Sequence, residues 1–192
     1  MYARRVKSVC RLIQNQNRGS AKPSNVPLIT QWDNLDCHIL KTGKKAEIGI
    51  LDTYACPAFY VSGFEREDVI EATKHVISHL PVEEGQAEPD INVIGWMHDG
   101  SLLPIAPDFE YLVVIFPRRK HRPECYSAEG EAQYLISPGS IDMAGLFITP
   151  RETDYQRLTP EQAVSILKEV TLPLDEVLKI GAKAKADFCA RQ

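Results

Sequence analysis

The chain has no apolar run long enough to cross a bilayer. Its longest strongly apolar stretch, Tyr111–Phe116, is six residues, whereas a membrane helix needs about 20. No apolar segment follows Arg4 and Arg5, so a secretory signal is not expected. The five cysteines (Cys10, Cys37, Cys56, Cys125, Cys189) include no C-x-x-C pair. An odd, widely spaced set fits neither a disulfide framework nor a zinc ribbon, and these residues are expected to be reduced, mostly buried thiols. There is no internal repeat, no low-complexity tract, no G-x-S-x-G, no P-loop and no dinucleotide fingerprint. The five histidines (His38, His75, His79, His98, His121) include no two separated by a single residue. What remains is ordinary globular composition. Of 192 residues, 44% are hydrophobic and 25% charged, enough for one full core and too apolar for a disordered chain. A soluble, cytoplasmic protein is expected.

The net charge of −4 is unevenly spread. Residues 1–25 hold six Lys/Arg and no acid, which leaves 16 basic and 26 acidic side chains in the other 167 residues. A basic arm on an acidic body fits an anionic partner, or a solvated segment packed on an acidic face. The arm lacks the aromatics on which a single-strand binder stacks bases, so nucleic acid is not the expected partner.

Periodicity divides the chain into a basic N-terminal helix and linker, residues 1–25, and one domain, residues 26–192. Helical spacing covers residues 2–16, and Asn15–Pro27 is rich in turn formers. Short strands are expected at Leu28–Trp32, Cys37–Leu40, Glu47–Leu51 and Phe59–Val61, arranged as a meander. A helix follows over residues 66–80, stopped by Pro81. Ile91–Met97 and Glu110–Phe116 read as strands, the second central and covered on both faces because it is apolar throughout. Ala144–Thr149 reads as a last strand. Thr159-Pro160 starts a helix to about Val170, with Thr as N-cap and Pro at the first helical position, and Pro173 opens another. This order predicts an α+β domain: an antiparallel sheet with helices packed on it.

The densest chemistry lies in Phe116-Pro-Arg-Arg-Lys-His-Arg-Pro123. Arg118, Arg119, Lys120, His121 and Arg122 leave a buried strand between two prolines, which stiffen the segment. Such a corner suits phosphate, since Arg offers a planar fork to oxyanions and Lys a point charge. The alternative is a solvated charge run. In an extended segment neighbours alternate, which sets Arg119 and His121 on one side and Arg118 and Lys120 on the other. We take Arg119 and His121 as the pair facing a ligand. Ser137-Pro-Gly-Ser-Ile-Asp-Met-Ala-Gly145 has the small residues that permit close backbone approach, or it is simply a turn feeding a strand. His75 and His79 share a helix face but lack a third ligand, so neither metal nor other cofactor is expected. His98 and Asp99, in a turn, could position a proton.

The succession Ile91-Asn-Val-Ile, Tyr111-Leu-Val-Val-Ile-Phe-Pro-Arg-Arg119 and Ser137-Pro-Gly-Ser-Ile-Asp-Met-Ala-Gly-Leu-Phe-Ile-Thr149 resembles nucleotide phosphorylases of the histidine-triad (HIT-like) superfamily. It is similar to the C-terminal part of ATP adenylyltransferases. Arg151-Glu-Thr-Asp-Tyr155 looks like the corresponding segment of GDP-hexose phosphorylases. The likeness covers about residues 88–172. It implies a HIT-like fold and nucleotidyl transfer to or from a nucleotide, nucleotide sugar or dinucleoside polyphosphate. In that superfamily a histidine of a His-x-His-x-His or His-x-His-x-Gln motif attacks the α-phosphorus, and positioned cations stabilise the equatorial oxygens. That motif is missing here. The resemblance therefore implies a C-terminal half that contacts phosphate and meets an N-terminal catalytic half or a second copy, with no turnover by itself. Its catalytic residues stay unassigned. A non-catalytic binding or regulatory module of the same fold, and an unrelated enzyme using His98, Asp99 or His121 as acid/base, are the alternatives.

Overall fold

Alternating apolar residues build a sheet that is buried on both faces. The computed structural model describes residues 2–3, 41–42, 46–52, 54–82, 87–97 and 109–190. The described residues form strands β1 (Tyr2–Ala3), β2 (Lys41–Thr42), β3 (Ala46–Leu51), β4 (Ala58–Gly63), β5 (Asp90–Met97), β6 (Phe109–Phe116) and β7 (Ile148–Thr149) and six α-helices. The helices are α1 (Arg66–Ile77), α2 (Glu124–Ser127), α3 (Ser140–Met143), α4 (Glu152–Arg157), α5 (Pro160–Val170) and α6 (Leu174–Ala190). Five strands form one sheet in the order β2-β3-β4-β6-β5, every neighbour antiparallel, and β1 pairs with β7 separately. Among the described residues no helix is long and apolar enough to cross a membrane.

Strand β6 shows how the layers arise. Its odd and even residues point to opposite faces, and from Tyr111 onward both sets are apolar. Val113 and Ile115 join Phe59 and Val61 of β4 beneath Val69 and Val76 of α1 and Val177 of α6. Leu112, Val114 and Phe116 join Tyr60 on the other side, covered by Met143 of α3, by Phe147, and by Ile166 and Leu167 of α5. The expected central strand is thus flanked by β4 and β5 and buried on both faces. Of the expected meander the described residues show Glu47–Leu51 and Phe59–Val61 as the adjacent antiparallel strands β3 and β4; Lys41–Thr42, not an expected strand, is β2, and β6 inserts between β4 and β5.

Several boundaries differ from expectation. Tyr2–Ala3 is a strand rather than the start of a helix; the rest of the expected 2–16 helix, Leu28–Trp32, Cys37–Leu40 and the 25/26 boundary lie outside the described residues. Helix α1 ends at Ile77, because Pro81 disfavours helical geometry before it. His79 N–H donates to Val76 O at 3.1 Å and Leu80 N–H to Ile77 O at 3.0 Å, a tightened last turn. Of Ala144–Thr149 only Ile148–Thr149 is strand. Gly145, at φ 96°, instead closes α3: its N–H donates to Asp142 O at 3.0 Å and that of Leu146 to Ile141 O at 3.1 Å. This is a Schellman ending, which needs the left-handed conformation glycine adopts freely. The expected α5 start is present, with Thr159 Oγ1 accepting from Gln162 N–H at 3.3 Å and Gln162 Oε1 from Thr159 N–H at 2.9 Å.

Gly49 of β3 faces Tyr60 of β4, and the tyrosine ring lies across it. A Cβ there would come within 2.2 Å of the ring. Tyr60 is buried and donates its hydroxyl to Glu47 Oε1 at 2.5 Å, so it cannot swing aside without losing that contact. Gly49→Ala is expected to cost about 2 kcal/mol, in the range of core overpacking, read as a lower urea midpoint at unchanged slope.

Candidate functional site

The chain leaves β6 through Pro117 into the cationic run, and each residue of the run has a different surrounding. Arg118, 3% exposed, turns into the protein. Its Nη1 donates to Asp90 Oδ2 at the start of β5 and to Pro138 O at 2.8 Å. Its Nη2 donates to Lys120 O at 3.1 Å and to His121 O at 2.8 Å, while Nε reaches Lys120 O at 3.4 Å. All five guanidinium N–H groups are engaged. Arg118 therefore folds the corner around its own side chain and ties it to β5 and to the segment before α3. The sequence credited the corner's stiffness to Pro117 and Pro123. Both are buried, but Arg118 is the stronger constraint because it fixes two carbonyls of the run directly.

The backbone of the run also closes α5. Arg119 N–H donates to Val170 O at 2.8 Å and Leu172 N–H to Pro117 O at 3.0 Å, with Arg118 and Thr171 bridged between them. Cationic residues at a helix C-terminus are favoured by its partial negative charge, which accounts for part of this run without any ligand. Lys120 is held in the same way. Its Nζ lies 2.5 Å from Glu169 Oε1 and 3.6 Å from Glu124 Oε1. The hydrogen bond to Glu169 raises its pKa above the ordinary lysine value, against the opposing effect of desolvation.

Arg119, His121 and Arg122 are exposed. Arg122 lies over the Tyr126 ring, 4.2 Å from its centroid. The side chains of Arg119 and His121 have no hydrogen-bond or ion-pair partner among the described residues. Arg118 is thus buried and Lys120 lies against acids, while Arg119, His121 and Arg122 are all exposed; the run bends around Arg118 rather than running extended, so the two-faced alternation expected from the sequence does not describe it.

The segment after the corner is held by two buried carboxylates. Asp142 accepts from Gly139 N–H at 2.9 Å and Ile148 N–H at 2.8 Å, spanning both ends of α3. Burial raises its pKa above the usual carboxylate range, although those N–H groups pull the other way. A Cβ at Gly139 would meet open space, so close backbone approach does not explain that glycine. Asp154, fully buried, accepts from Leu135 N–H at 2.9 Å, from Arg151 Nε at 2.8 Å and from Arg157 Nη2 at 3.0 Å. Burial opposes its ionisation, but these donors outweigh it and hold the carboxyl below the usual range. The Arg151–Tyr155 segment of the resemblance is therefore a structural knot, whose arginines also bind the carbonyl of Gln133.

The other candidates separate from this corner. His75 Nε2 lies 2.9 Å from Ala184 O, and His79 Nε2 lies 2.8 Å from Asp187 Oδ2. These two histidines join α1 to α6, and no cluster of metal-ligating side chains is found among the described residues. His98 and Asp99 lie outside the described residues. Burial pushes the Cys56 thiol up to about 12, with Arg118 acting in the opposite sense, and burial also raises Cys125. Both are free and poor nucleophiles at neutral pH. The sequence reading missed Asp90 as the partner of Arg118; a carboxylate at the start of a neighbouring strand was the only available signal. Comparison of the chain with protein-family models, with curated proteins and with solved structures finds no match in any of the three.

Proposed function

We propose that the protein recognises the phosphate end of a nucleotide or nucleotide sugar at this corner, as the non-nucleophilic, HIT-like half of a nucleotidyltransferase or phosphorylase. The observation that carries the reading is the exposure of Arg119 and His121 on a backbone fixed by Arg118, Pro117 and Pro123. Neither has a carboxylate partner among the described residues. Arg119 supplies a planar fork to an oxyanion, His121 an imidazole N–H donor, and Arg122 a second guanidinium stacked on Tyr126. Arg118 and Lys120 support the corner rather than the ligand. The missing histidine motif leaves no covalent route through this chain, so binding without turnover is the expected behaviour. The free thiols of Cys56 and Cys125 fit a reducing compartment and hence the cytoplasm.

The test is calorimetric titration of GDP, ADP and pyrophosphate into the wild type and an Arg119→Ala/His121→Ala double variant. An exposed charged contact contributes at most about 1 kcal/mol, so losing two should weaken binding roughly tenfold. The affinity should also fall with added salt. Equal affinities in the two proteins, or no binding by the wild type, would leave the run as a solvated helix cap.

A further inference from the structure

Two arginines lie on tyrosine rings in the segment after the corner, and their other contacts differ. Arg157 lies over Tyr134, 4.5 Å from the ring centroid, and commits its N–H groups to the fold. Its Nη1 donates to Glu131 O at 2.6 Å, and its Nη2 to Gln133 O at 2.7 Å and Asp154 Oδ1 at 3.0 Å. Arg122 lies over Tyr126 at 4.2 Å, is exposed, and has no hydrogen-bond or ion-pair partner among the described residues. The ring covers one face of its guanidinium; the other face and the N–H edges are open.

Both halves of this stack are held by the fold. Tyr126 N–H donates to Pro123 O at 3.1 Å, Tyr134 N–H to Cys125 O at 3.0 Å, and Gln133 Nε2 to Tyr126 O at 3.4 Å. Gln133 is bound in turn by Arg151 of the Asp154 knot, whose Nη1 donates to its Oε1 at 2.9 Å. On the arginine's side, Arg118 clamps the carbonyl of His121, the residue before it, and Pro123, the residue after it, is buried. The guanidinium plane is therefore set before a ligand arrives, which lowers the ordering cost of binding.

We propose that Arg122 on Tyr126 is a stacking platform for the base of a nucleoside diphosphate whose phosphates meet Arg119 and His121; this rests on the phosphate reading given above. A guanidinium is planar and weakly hydrated, and bases stack on arginine planes as they do on aromatic rings. Three residues separate Arg119 from Arg122, at most about 11 Å of chain, so one nucleotide can reach both. Charge favours a base over a further phosphate at this end of the run. Lys120 is matched by two acids, Glu169 and Glu124, and Glu124 follows Arg122 by two residues and is 91% exposed. That excess of negative charge opposes a second phosphate and leaves an uncharged base unaffected. The ligand class is therefore one read through its base, not inorganic phosphate or polyphosphate.

The test is calorimetric titration of ADP and of pyrophosphate into the full-length wild type, Arg122→Lys and Tyr126→Leu. Lysine keeps the charge and loses the plane; leucine keeps an apolar seat and loses the ring. Both variants are expected to bind ADP about tenfold more weakly than the wild type and pyrophosphate within about twofold of it. Arg122→Lys is expected to keep the wild-type melting temperature, because position 122 is exposed, so its titration decides the matter even if the half-buried Tyr126→Leu is destabilised. ADP affinity unchanged in Arg122→Lys, or ADP and pyrophosphate weakened by the same factor, would overturn the platform and leave the phosphate corner standing. A wild type that binds neither ligand would overturn both.

Discussion

Val114→Asp is expected to abolish the cooperative thermal transition. Val114 sits in the middle of β6, buried between Tyr60 of β4 and Asn92 of β5 and beneath the helical layer on that face. Asn92 already donates to Ser140 O at 2.8 Å, and the residues packed around Val114 in that core cluster are apolar. An aspartate there would ionise at a cost of several kcal/mol or remain protonated and poorly packed. Either cost is comparable with the total stability of a domain, about 5–15 kcal/mol. Circular dichroism of the variant should show a largely unfolded chain at room temperature; a melt close to that of the wild type would mean that β6 is not central.

Asp154→Ala should also destabilise the fold, by another mechanism. Removing the carboxylate orphans the part-buried Leu135 N–H and leaves Arg151 and Arg157 without their shared counter-ion. The carboxylate is fully buried but the two arginines are more than a third exposed, so solvent screens part of the loss and the cost is expected to be about 2–3 kcal/mol. Asp154→Asn separates charge from shape, and pH supplies the reading. The folded state holds this carboxyl below its ordinary value of 3.8. Its stabilising contribution is therefore complete above the unfolded chain's pKa and is lost as pH falls through the lower folded value. Asp142, shifted upward, acts in the opposite sense, gaining stability as it protonates. Urea midpoints of the wild type and Asp154→Asn should run parallel from neutral pH to about pH 4 and draw together only below it, as pH falls through the depressed value. Curves that stay parallel throughout that acid range would contradict the role of the Asp154 charge.

The features legible in the sequence were those set by local chemistry. The run Tyr111–Phe116 identified a central strand because only a strand buried on both faces tolerates continuous apolar residues. Thr159-Pro160 with Gln162 marked the start of α5 because a capping box is complete within four residues. What the sequence could not show depends on partners far along the chain. Arg118 turns inward because Asp90, 28 residues earlier, and the Pro138 carbonyl, 20 later, await it. Residues 144–147 are not strand because Asp142 and Gly145 close α3 there, an arrangement that also needs Ile148 N–H. The Arg151–Tyr155 segment drew notice only through a family resemblance; its work, tying α4 to residues 131–135, requires Gln133 and Leu135.

The proposed function divides the labour of the cationic run, with Arg118 holding the fold and Arg119 the ligand. A thermal-shift titration with pyrophosphate on the wild type, Arg118→Ala and Arg119→Ala tests it in one measurement, since a ligand that binds the folded state raises the melting temperature by mass action. Without ligand, Arg118→Ala should melt roughly 6–12 °C below the wild type, the shift for about 3 kcal/mol in a chain of this size. Arg119→Ala should start from the wild-type melting temperature and respond to pyrophosphate far less. A ligand-induced rise equal in wild type and Arg119→Ala, or an unliganded Arg119→Ala as destabilised as Arg118→Ala, would contradict the account.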